Sequence, residues 1–278
     1  MRFWEKVGGE GPRATPTFAD GRIYALGATG ILNCLDAVGG ARKWSRDIAA
    51  EAGAKPPLWG FCSSPLVVDG VVVVFAGGDK GLLAYHADSG APAWTAAAGK
   101  ISYSSPQLAT HDGQQHILFW SDCGLTAHDP ASGEVVWRHD APTPGAPRSL
   151  QPHSVGEGQV LIASETDLGT AFLDVKRDGD AWTVSRRWAS KRLRPWFNDF
   201  VVHEGAIYGF DGALFCCIDL RSGEERWKEG RYGHGQVVRL ADSSVLLVST
   251  EKGQVVLLEA NSEEHKELGR FQAIEGKT

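Results

Sequence analysis

The stretch that decides the fold is Asp-Pro-Ala-Ser-Gly-Glu-Val-Val-Trp at residues 129–137. It recurs as Asp-Leu-Arg-Ser-Gly-Glu-Glu-Arg-Trp at 219–227 and, in a looser form, as His-Ala-Asp-Ser-Gly-Ala-Pro-Ala-Trp at 86–94. The spacing Asp-x3-Gly-x3-Trp also occurs at 36–44. Because Asp can cap a turn with its own side chain and Gly can adopt a positive φ, we expect each copy to be a turn that leads into a strand beginning near the Trp.

The Trp that ends this motif marks a repeat. Six Trp residues and one Phe are spaced by 40, 50, 43, 51, 39 and 44 residues, which is the length of a β-propeller blade. A large ring at one fixed place in each blade can be buried against the next blade, which stabilises by roughly 1.5–3 kcal/mol per site. We therefore predict structural docking for Trp4, Trp44, Trp94, Trp137, Trp188 and Trp227, with Phe271 in a seventh slot.

Short hairpin signals precede these turns. Asp20-Gly21, Asp69-Gly70, Asp112-Gly113 and Glu204-Gly205 each lie between two apolar runs, a pattern that favours a two-residue hairpin. We expect an all-β fold, a β-propeller of about six four-stranded blades with WD40-like architecture, and no helical repeats. The blades are predicted at about 10–50, 60–98, 101–140, 148–190, 196–230 and 234–274, in one domain of residues 1–278.

Residues 1–8 have no repeat of their own. Trp4 has the position of a last strand whose three partner strands do not precede it, so we expect an orphan outer strand at 1–8. Two arrangements stay open. The chain is part of a propeller of seven or eight blades, or it closes as six blades with residues 1–8 along an edge.

Composition excludes several classes of protein. The 278 residues carry 28 basic and 34 acidic side chains, a net charge of −6, whereas nucleic-acid-binding proteins usually have a basic excess. No apolar stretch is long enough for a transmembrane segment. The five Cys lack zinc-like spacing. The start of the chain shows no export signal, so as written it predicts a cytoplasmic protein, and we expect a monomer.

The candidate site lies in the segments that lead into the first strand of each blade. In a propeller these segments are innermost, so we predict a polar central funnel that either binds a small polar or anionic ligand or is filled with water. Neither a catalytic constellation nor a metal site is predicted, since Asn198 and Asp199 supply too few oxygen ligands for Ca²⁺. The predicted funnel residues are Arg13, Ser63, Ser64, Tyr103, Ser104, Ser105, Arg148, Gln151, His153, Trp196, Asn198, Asp199, His234 and Gln236.

Two further features have plain structural interpretations as well as functional ones. The basic run at 186–194 predicts a solvated strand face and loop, and otherwise a patch for an acidic partner. The pair Cys216-Cys217 predicts the middle of a strand, with the two side chains on opposite faces.

The motif Asp-x-x-Ser/Thr-Gly-x-x-x-Trp, at 86–94, 129–137 and 219–227, resembles the Trp-docking motif of pyrroloquinoline-quinone-type propeller repeats. The likeness covers nearly the whole chain. In that family, quinoprotein alcohol dehydrogenases hold the quinone and Ca²⁺ near the channel of eight blades, beneath a vicinal disulfide. Non-enzymatic members, including the BamB-type assembly lipoprotein, bind partners without a cofactor.

The resemblance implies three functions in order of preference. The first is a non-catalytic scaffold, without a cofactor, that binds a partner protein or a small polar ligand. The second is a dehydrogenase dependent on pyrroloquinoline quinone with Ca²⁺, or a part of one. The third is a BamB-type outer-membrane assembly factor, which would place the protein in the periplasm or cell envelope.

Overall fold

The structure is a computed structural model that describes residues 3–6, 9–142, 148–165 and 168–276. These residues form six four-stranded antiparallel sheets, in each of which consecutive strands are neighbours, and one two-stranded sheet. The predicted all-β fold of four-stranded repeats is therefore confirmed.

The strands follow the predicted repeats. The two-stranded sheet pairs β1 (Trp4–Glu5) with β2 (Gly9–Glu10). Sheet 1 contains β3 (Thr17–Ala19), β4 (Arg22–Leu26), β5 (Ile31–Asp36) and β6 (Arg42–Asp47). Sheet 2 contains β7 (Leu66–Val68), β8 (Val71–Gly77), β9 (Gly81–His86) and β10 (Pro92–Ala96). Sheet 3 contains β11 (Gln107–His111), β12 (Gln114–Ser121), β13 (Gly124–His128) and β14 (Val135–Asp140).

The later repeats have the same order of strands. Sheet 4 contains β15 (His153–Gly156), β16 (Gln159–Ser164), β17 (Gly169–Asp178) and β18 (Ala181–Ser190). Sheet 5 contains β19 (Val201–His203), β20 (Ala206–Asp211), β21 (Leu214–Asp219) and β22 (Glu225–Arg231). Sheet 6 contains β23 (Gln236–Arg239), β24 (Val245–Ser249), β25 (Gln254–Glu259) and β26 (Glu267–Gln272).

The sequence predicted one domain, and the described residues fall into two compact units. Unit 1 lies within Met1–Gly158 and Val175–Val184, and unit 2 within Gln159–Asp174 and Ser185–Thr278. In unit 1, the core between sheets 2 and 3 includes Phe75 and Phe119, whose stacked rings are 4.5 Å apart. In unit 2, one apolar cluster joins sheets 5 and 6.

The predicted hairpins have the backbone geometry that their residues favour. At Asp20-Gly21 the φ angles are 48° and 72°, and at Asp69-Gly70 they are 47° and 75°. Two consecutive residues with positive φ are the signature of a type I′ turn, whose twist matches that of the two strands it joins. Glu204-Gly205 has the same geometry, with φ angles of 46° and 77°.

Four of the Trp rings, those of Trp44, Trp94, Trp188 and Trp227, are held by the turn of the following repeat. In unit 1, Trp94 Nε1 donates to the Pro130 carbonyl at 3.0 Å, and the Trp94 ring lies against Gly133, where any Cβ would overlap it. Trp44 is held in the same way over Gly90, and its Nε1 donates to the Ala87 carbonyl at 3.1 Å. The motif glycine therefore has two roles, because it adopts a positive φ and also leaves room for the preceding ring.

Unit 2 repeats this arrangement. Trp188 lies over Gly223 and donates to the Leu220 carbonyl at 3.1 Å. Trp227 donates to the Asn261 carbonyl at 2.9 Å. Each ring thus hydrogen-bonds to a backbone oxygen of the next turn, which fixes its orientation as well as its burial.

The N-terminal segment differs from the prediction. Trp4 is 64% exposed, and its strand pairs only with β2, with Trp4 opposite Glu10. Gly40, at the motif position of sheet 1, has no atom of another element within 4 Å of where a Cβ would stand. The docking predicted for Trp4 is therefore corrected to an exposed ring on a short hairpin. Residues 1, 2, 7 and 8 of the predicted outer strand lie outside the described residues.

A short helix after sheet 1 was not predicted. Helix α1 (Ile48–Ala52) begins where Asp47 Oδ1 accepts a hydrogen bond from Ala50 N at 3.0 Å and ends at Gly53, which has a φ of 62°. An Asp cap at the N-terminus and a Gly with left-handed backbone geometry at the C-terminus are sufficient to begin and end a helix of one or two turns. The helix and the loop after it account for the 50-residue interval between Trp44 and Trp94.

Candidate functional site

Unit 1 contains a cavity of about 610 Å³ that could hold a ligand. Its walls come from two connections, residues 53–63 between sheets 1 and 2 and residues 100–103 before sheet 3, and its floor comes from Phe75 and Ala76 of β8. The lining residues are Gly53, Ala54, Lys55, Pro57, Leu58, Trp59, Phe61, Cys62, Ser63, Phe75, Ala76, Gly78, Lys100, Ile101, Ser102 and Tyr103.

The first connection is anchored to the sheets on one side of this cavity. Glu51 of α1 accepts a hydrogen bond from Tyr85 OH at 2.9 Å and forms an ion pair with Arg46 at 2.8 Å. Trp59 packs against Tyr103 with ring centroids 5.2 Å apart. These contacts hold the aromatic wall in place, so the cavity belongs to a fixed framework rather than to an untethered loop.

The cavity is positively charged at its rim and neutral within. Lys55 and Lys100 are its only charged lining residues among those described, and both are exposed. Burial raises the pKa of the Cys62 thiol to about 11, so the thiol stays protonated at neutral pH and is a poor nucleophile. The Ser63 side chain is buried, and its hydroxyl has no hydrogen-bond partner within the described part of the chain.

Two of the predicted serines of unit 1, Ser64 and Ser105, link neighbouring repeats through their hydroxyl groups. Ser64 Oγ accepts from Thr15 N at 3.0 Å, and Ser105 Oγ accepts from Ser64 N at 2.8 Å. Ser104 N donates to Ser102 Oγ at 3.0 Å. The hydroxyl groups therefore complete the hydrogen bonding of backbone groups that precede the first strands, where no sheet partner is available.

Arg13 has a similar structural role at the N-terminal hairpin. Its guanidinium pairs with Glu5 at 3.1 Å, donates to the Gly9 carbonyl at 2.9 Å and donates to the Trp59 carbonyl at 3.4 Å. All three contacts lie within unit 1. The same arginine connects the hairpin to the aromatic wall of the cavity.

Arg148 is 1% exposed, and its guanidinium stacks 4.4 Å from the Trp120 ring. Burial lowers the pKa of Arg148 to about 10.

Gln151 accepts a hydrogen bond from Gln107, and His153 begins β15. Of the nine predicted funnel residues in this unit, only Ser63 and Tyr103 line the cavity.

In unit 2 the predicted residues form an aromatic surface cluster. Trp196 and Phe197 are 47% and 52% exposed, and their ring centroids are 5.7 Å apart. His234 contacts both rings, with its centroid 4.8 Å from that of Trp196. We call these three residues the aromatic cluster. It presents a large apolar area to solvent next to a polar imidazole.

Buried polar groups hold the loop that carries this cluster. Asn198 is fully buried, and its Oδ1 accepts from Trp196 N at 2.9 Å. Asp199 Oδ1 accepts from Phe200 N at 2.8 Å, and Asp199 N donates to Gln236 Oε1 at 3.4 Å. The loop is therefore shaped by Asn198, Asp199 and Gln236. Of the predicted residues, Trp196 and His234 form its surface.

Sequence reasoning missed the residues that build the cavity of unit 1. Lys55, Leu58, Trp59 and Lys100 lie between repeats, where the motif gives no information. One signal was available, because the interval from Trp44 to Trp94 is 50 residues, against 43 for the next one. The extra residues are α1 and the connection that forms the cavity wall.

The described residues do not fit a site for calcium and a quinone. No three His, Cys, Asp or Glu side chains are grouped as metal ligands in the described ranges. The amide oxygen of Asn198 is taken by a backbone N–H, as noted above. Cys216 and Cys217 are free, fully buried and on the central strand β21, not in a loop over a ligand.

Two of the five basic residues in the run at 186–194 are paired with acidic groups. Arg187 pairs with Asp174, where Nε and Oδ2 are 3.0 Å apart, and Arg194 Nε donates to Asp211 Oδ1 at 2.9 Å. Burial acts to raise the pKa of Asp211, but Arg194 and Lys228 outweigh it and hold that pKa below its usual value. These ion pairs favour the interpretation of a solvated strand face and loop.

Among the described residues, no helix has both the length and the apolar character needed to cross a membrane.

Comparisons with known proteins agree with the repeat architecture. The sequence matches the family model described as outer membrane protein assembly factor BamB over residues 2–229 and, in a second match, 109–266. The fold is similar to the crystal structure of BamB from Moraxella catarrhalis, with a TM-score of 0.69 at 17% identity, covering 94% of this chain and 74% of that one.

Dehydrogenases are also among the relatives. The chain is 30% identical over 186 residues to the quinohemoprotein alcohol dehydrogenase ADH-IIG of Pseudomonas putida, which is 62% of this chain but only 25% of that enzyme. A europium-containing methanol dehydrogenase shares the fold with a TM-score of 0.62 at 13% identity, covering 94% of this chain and 69% of that one. The chain thus spans about a quarter of the length of the curated enzyme that it matches. The docking of Trp rings on the next turn recurs along the chain, and the family model matches most of its length. The chain therefore belongs to the BamB-like family of propellers with pyrroloquinoline-quinone-type repeats.

Proposed function

We propose that this protein is a non-catalytic propeller scaffold that binds a protein partner in the cell envelope. The observation that carries the proposal is the aromatic cluster of unit 2. Exposed Trp and aromatic residues in a small, well-supported group are typical of the central residues of protein interfaces.

The loop geometry supports this proposal. Because Asn198 is buried beneath the cluster and bonds to Trp196 N, the rings are held in place before a partner arrives. Such preorganisation lowers the entropy lost on binding. The family description as an assembly factor is consistent with a partner protein, and it motivates the envelope location.

Co-purification from the native cell, with Trp196→Ser and Phe197→Ser variants, tests the proposal. The partner retained by the wild type is identified, purified and titrated against each variant. We expect each substitution to weaken the complex at least about tenfold, the size of effect found at central interface residues.

Phe18→Ser is the matched control, because Phe18 is a 68% exposed aromatic residue in sheet 1 of unit 1. It should leave the affinity unchanged. Equal affinity of the wild type and the Trp196 variant for every purified partner would refute the aromatic cluster as the binding surface. Fractionation that finds the protein outside the envelope would refute the location.

The match to a quinohemoprotein dehydrogenase supports a second candidate, a part of a quinone-dependent enzyme. It is tested by mixing the protein with pyrroloquinoline quinone and Ca²⁺ and measuring dye reduction with alcohols. Because no three His, Cys, Asp or Glu side chains are grouped as metal ligands in the described ranges, we expect no turnover.

A further inference from the structure

We propose that the cavity of unit 1 binds an aromatic carboxylate, with the ring of the ligand against Trp59 and Tyr103 and its carboxylate beside Lys55 and Lys100. This proposal is independent of the partner proposed for unit 2. It assigns a ligand class to residues that lie outside the repeated motif.

The size and floor of the cavity suit an organic molecule. Its volume of about 610 Å³ falls within the range of roughly 300–1,000 Å³ usual for small-molecule sites. Phe61, Phe75 and Ala76 line it and are at least 96% buried. An apolar body placed there would remove both its own surface and the cavity wall from water.

The aromatic wall favours a flat ring. Trp59 remains 39% exposed although its ring packs against Tyr103. Its backbone is held on two sides, since its carbonyl accepts from Arg13 and its N–H donates to Tyr103 OH at 3.4 Å. A Trp face that is both fixed and accessible can stack with an aromatic ligand without losing much of its own freedom.

The charges favour an anion. The sixteen lining residues include Lys55 and Lys100 and no acidic residue, although the whole chain has a net charge of −6. Asp122 Oδ1 accepts hydrogen bonds from the backbone N–H groups of Lys100 and Ile101 at 2.9 and 3.1 Å, which fixes the backbone of this segment. Both lysine side chains are exposed, so their ammonium groups can approach a ligand carboxylate at the rim.

Ser63 provides a specific polar contact within the cavity. It is 2% exposed, it lines the cavity, and its hydroxyl has no partner among the described residues. A buried hydroxyl without a hydrogen bond is unfavourable, because it has lost its bond to water and gained none. A ligand oxygen that accepts this hydrogen bond would recover that loss, which a purely apolar ligand cannot do.

The test is calorimetric titration of the full chain with naphthalene-2-carboxylate, 2-naphthylmethanol, cyclohexanecarboxylate and inorganic phosphate. We expect one site for the naphthoate. The neutral alcohol and the non-aromatic acid should each bind about tenfold more weakly, because each lacks one of the two interactions. Phosphate should not compete.

Variants locate the site. Trp59→Leu should weaken naphthoate about tenfold, and Lys55→Gln, Lys100→Gln and Ser63→Ala about three- to tenfold each. The controls are Trp4→Leu, an exposed Trp outside the cavity, and Lys176→Gln, an exposed Lys on β17. Both should bind within twofold of the wild type.

Several results would overturn the proposal. They are the absence of saturable binding, equal affinity for the naphthoate and the alcohol, competition by phosphate at equal concentration, or equal losses in the control variants. Circular dichroism of each variant checks that the fold is intact. Loss of partner binding by the unit 2 variants would leave these results unchanged, so the two proposals fail separately.

Discussion

Trp94 and Trp137 occupy the same place in consecutive repeats of unit 1, but their surroundings differ. Trp94 stands over Gly133 and donates to a backbone carbonyl. Trp137 is 5% exposed and donates to Nδ1 of His116 at 3.3 Å, an imidazole that is itself fully buried. The repeat position determines that the ring is buried, whereas the residues around it determine how it is held.

Histidines take the place of a glycine turn around Trp137. His111 and His116 are both fully buried, and their centroids lie 5.9 and 6.1 Å from that of Trp137. Trp182 closes the other side of His116, with centroids 4.8 Å apart. The rings packed around Trp137 therefore include two titratable imidazoles, whereas Trp94 lies on a glycine turn.

The largest effect should come from removing the more buried ring. Trp137→Ala should lower the free energy of unfolding by about 3–5 kcal/mol, because it leaves a cavity and a buried imidazole without its donor. Urea unfolding followed by circular dichroism measures the loss. Trp4→Ala should cost less than about 1 kcal/mol, since Trp4 is exposed. A loss below about 1 kcal/mol for Trp137 would mean that this ring is not docked.

A methyl group in the glycine turn should have the next largest effect. Gly133→Ala should cost about 2–3 kcal/mol, because its Cβ overlaps the Trp94 ring and its φ is 76°, so overpacking and backbone strain add. The control, Gly40→Ala, has a φ of 69° and open space, and should cost only about 1 kcal/mol. Equal losses at both positions would show that φ alone explains the glycine.

Acid should weaken the Trp137 socket selectively. Burial, with His111 nearby, lowers the pKa of His116 to about 4, against about 6.5 in an unfolded chain. Below pH 6.5 the unfolded chain binds a proton that the folded chain excludes, so stability falls from pH 6.5 towards 4 and then levels off. His111 acts in the same direction, since burial lowers its pKa too.

The measurement is urea unfolding at pH 7 and pH 4.5. His116→Gln should reduce the loss of stability between these values by on the order of 2 kcal/mol. His86→Gln is the control, because His86 is exposed and is not one of the rings packed around Trp137. An unaltered pH profile in the His116 variant would contradict a neutral, buried imidazole.

The smallest effect should come from the turn that receives Trp94. Asp129 Oδ1 accepts from Ala131 N at 2.9 Å and Ser132 N at 2.8 Å, which orders the Pro130 carbonyl. Asp129→Ala should cost about 1 kcal/mol, as for the loss of a capping side chain. His86→Ala, at the same position of sheet 2, should cost less than about 0.5 kcal/mol. Thermal unfolding of the two variants gives the comparison.

The sequence was informative wherever structure depends on local geometry. Asp20-Gly21 and its equivalents predicted two-residue hairpins because positive φ at two successive residues strongly favours these residue types. The Asp-x3-Gly-x3-Trp spacing predicted the outer strands for the same reason. Four-stranded sheets follow from short turns, since neighbours in sequence then pair in space.

Features that depend on contacts between repeats could not be predicted from one repeat. The steric role of Gly133 requires knowing that Trp94 lies above it. Trp4 is exposed because its ring does not dock on the turn at Gly40, and the local sequence pattern does not indicate this. Ser64 and Ser105 looked like ligand groups, yet they satisfy backbone N–H groups of a neighbouring segment. The cavity of unit 1 is formed by two connections that share no motif.

The placement of each Trp ring on the next glycine turn has a consequence for how such a chain can change in length. Because the rings of Trp44, Trp94, Trp188 and Trp227 each dock on the turn of the next repeat, this coupling between repeats extends to nearest neighbours. Removal of residues 45–94 would bring Trp44 to the position of Trp94, facing the Gly133 turn. Duplication of the same segment would supply one new ring and one new turn. If a whole segment from one Trp to the next is gained or lost, each ring therefore still has a turn to dock on. A cut elsewhere within a repeat leaves either a ring or a turn without its partner.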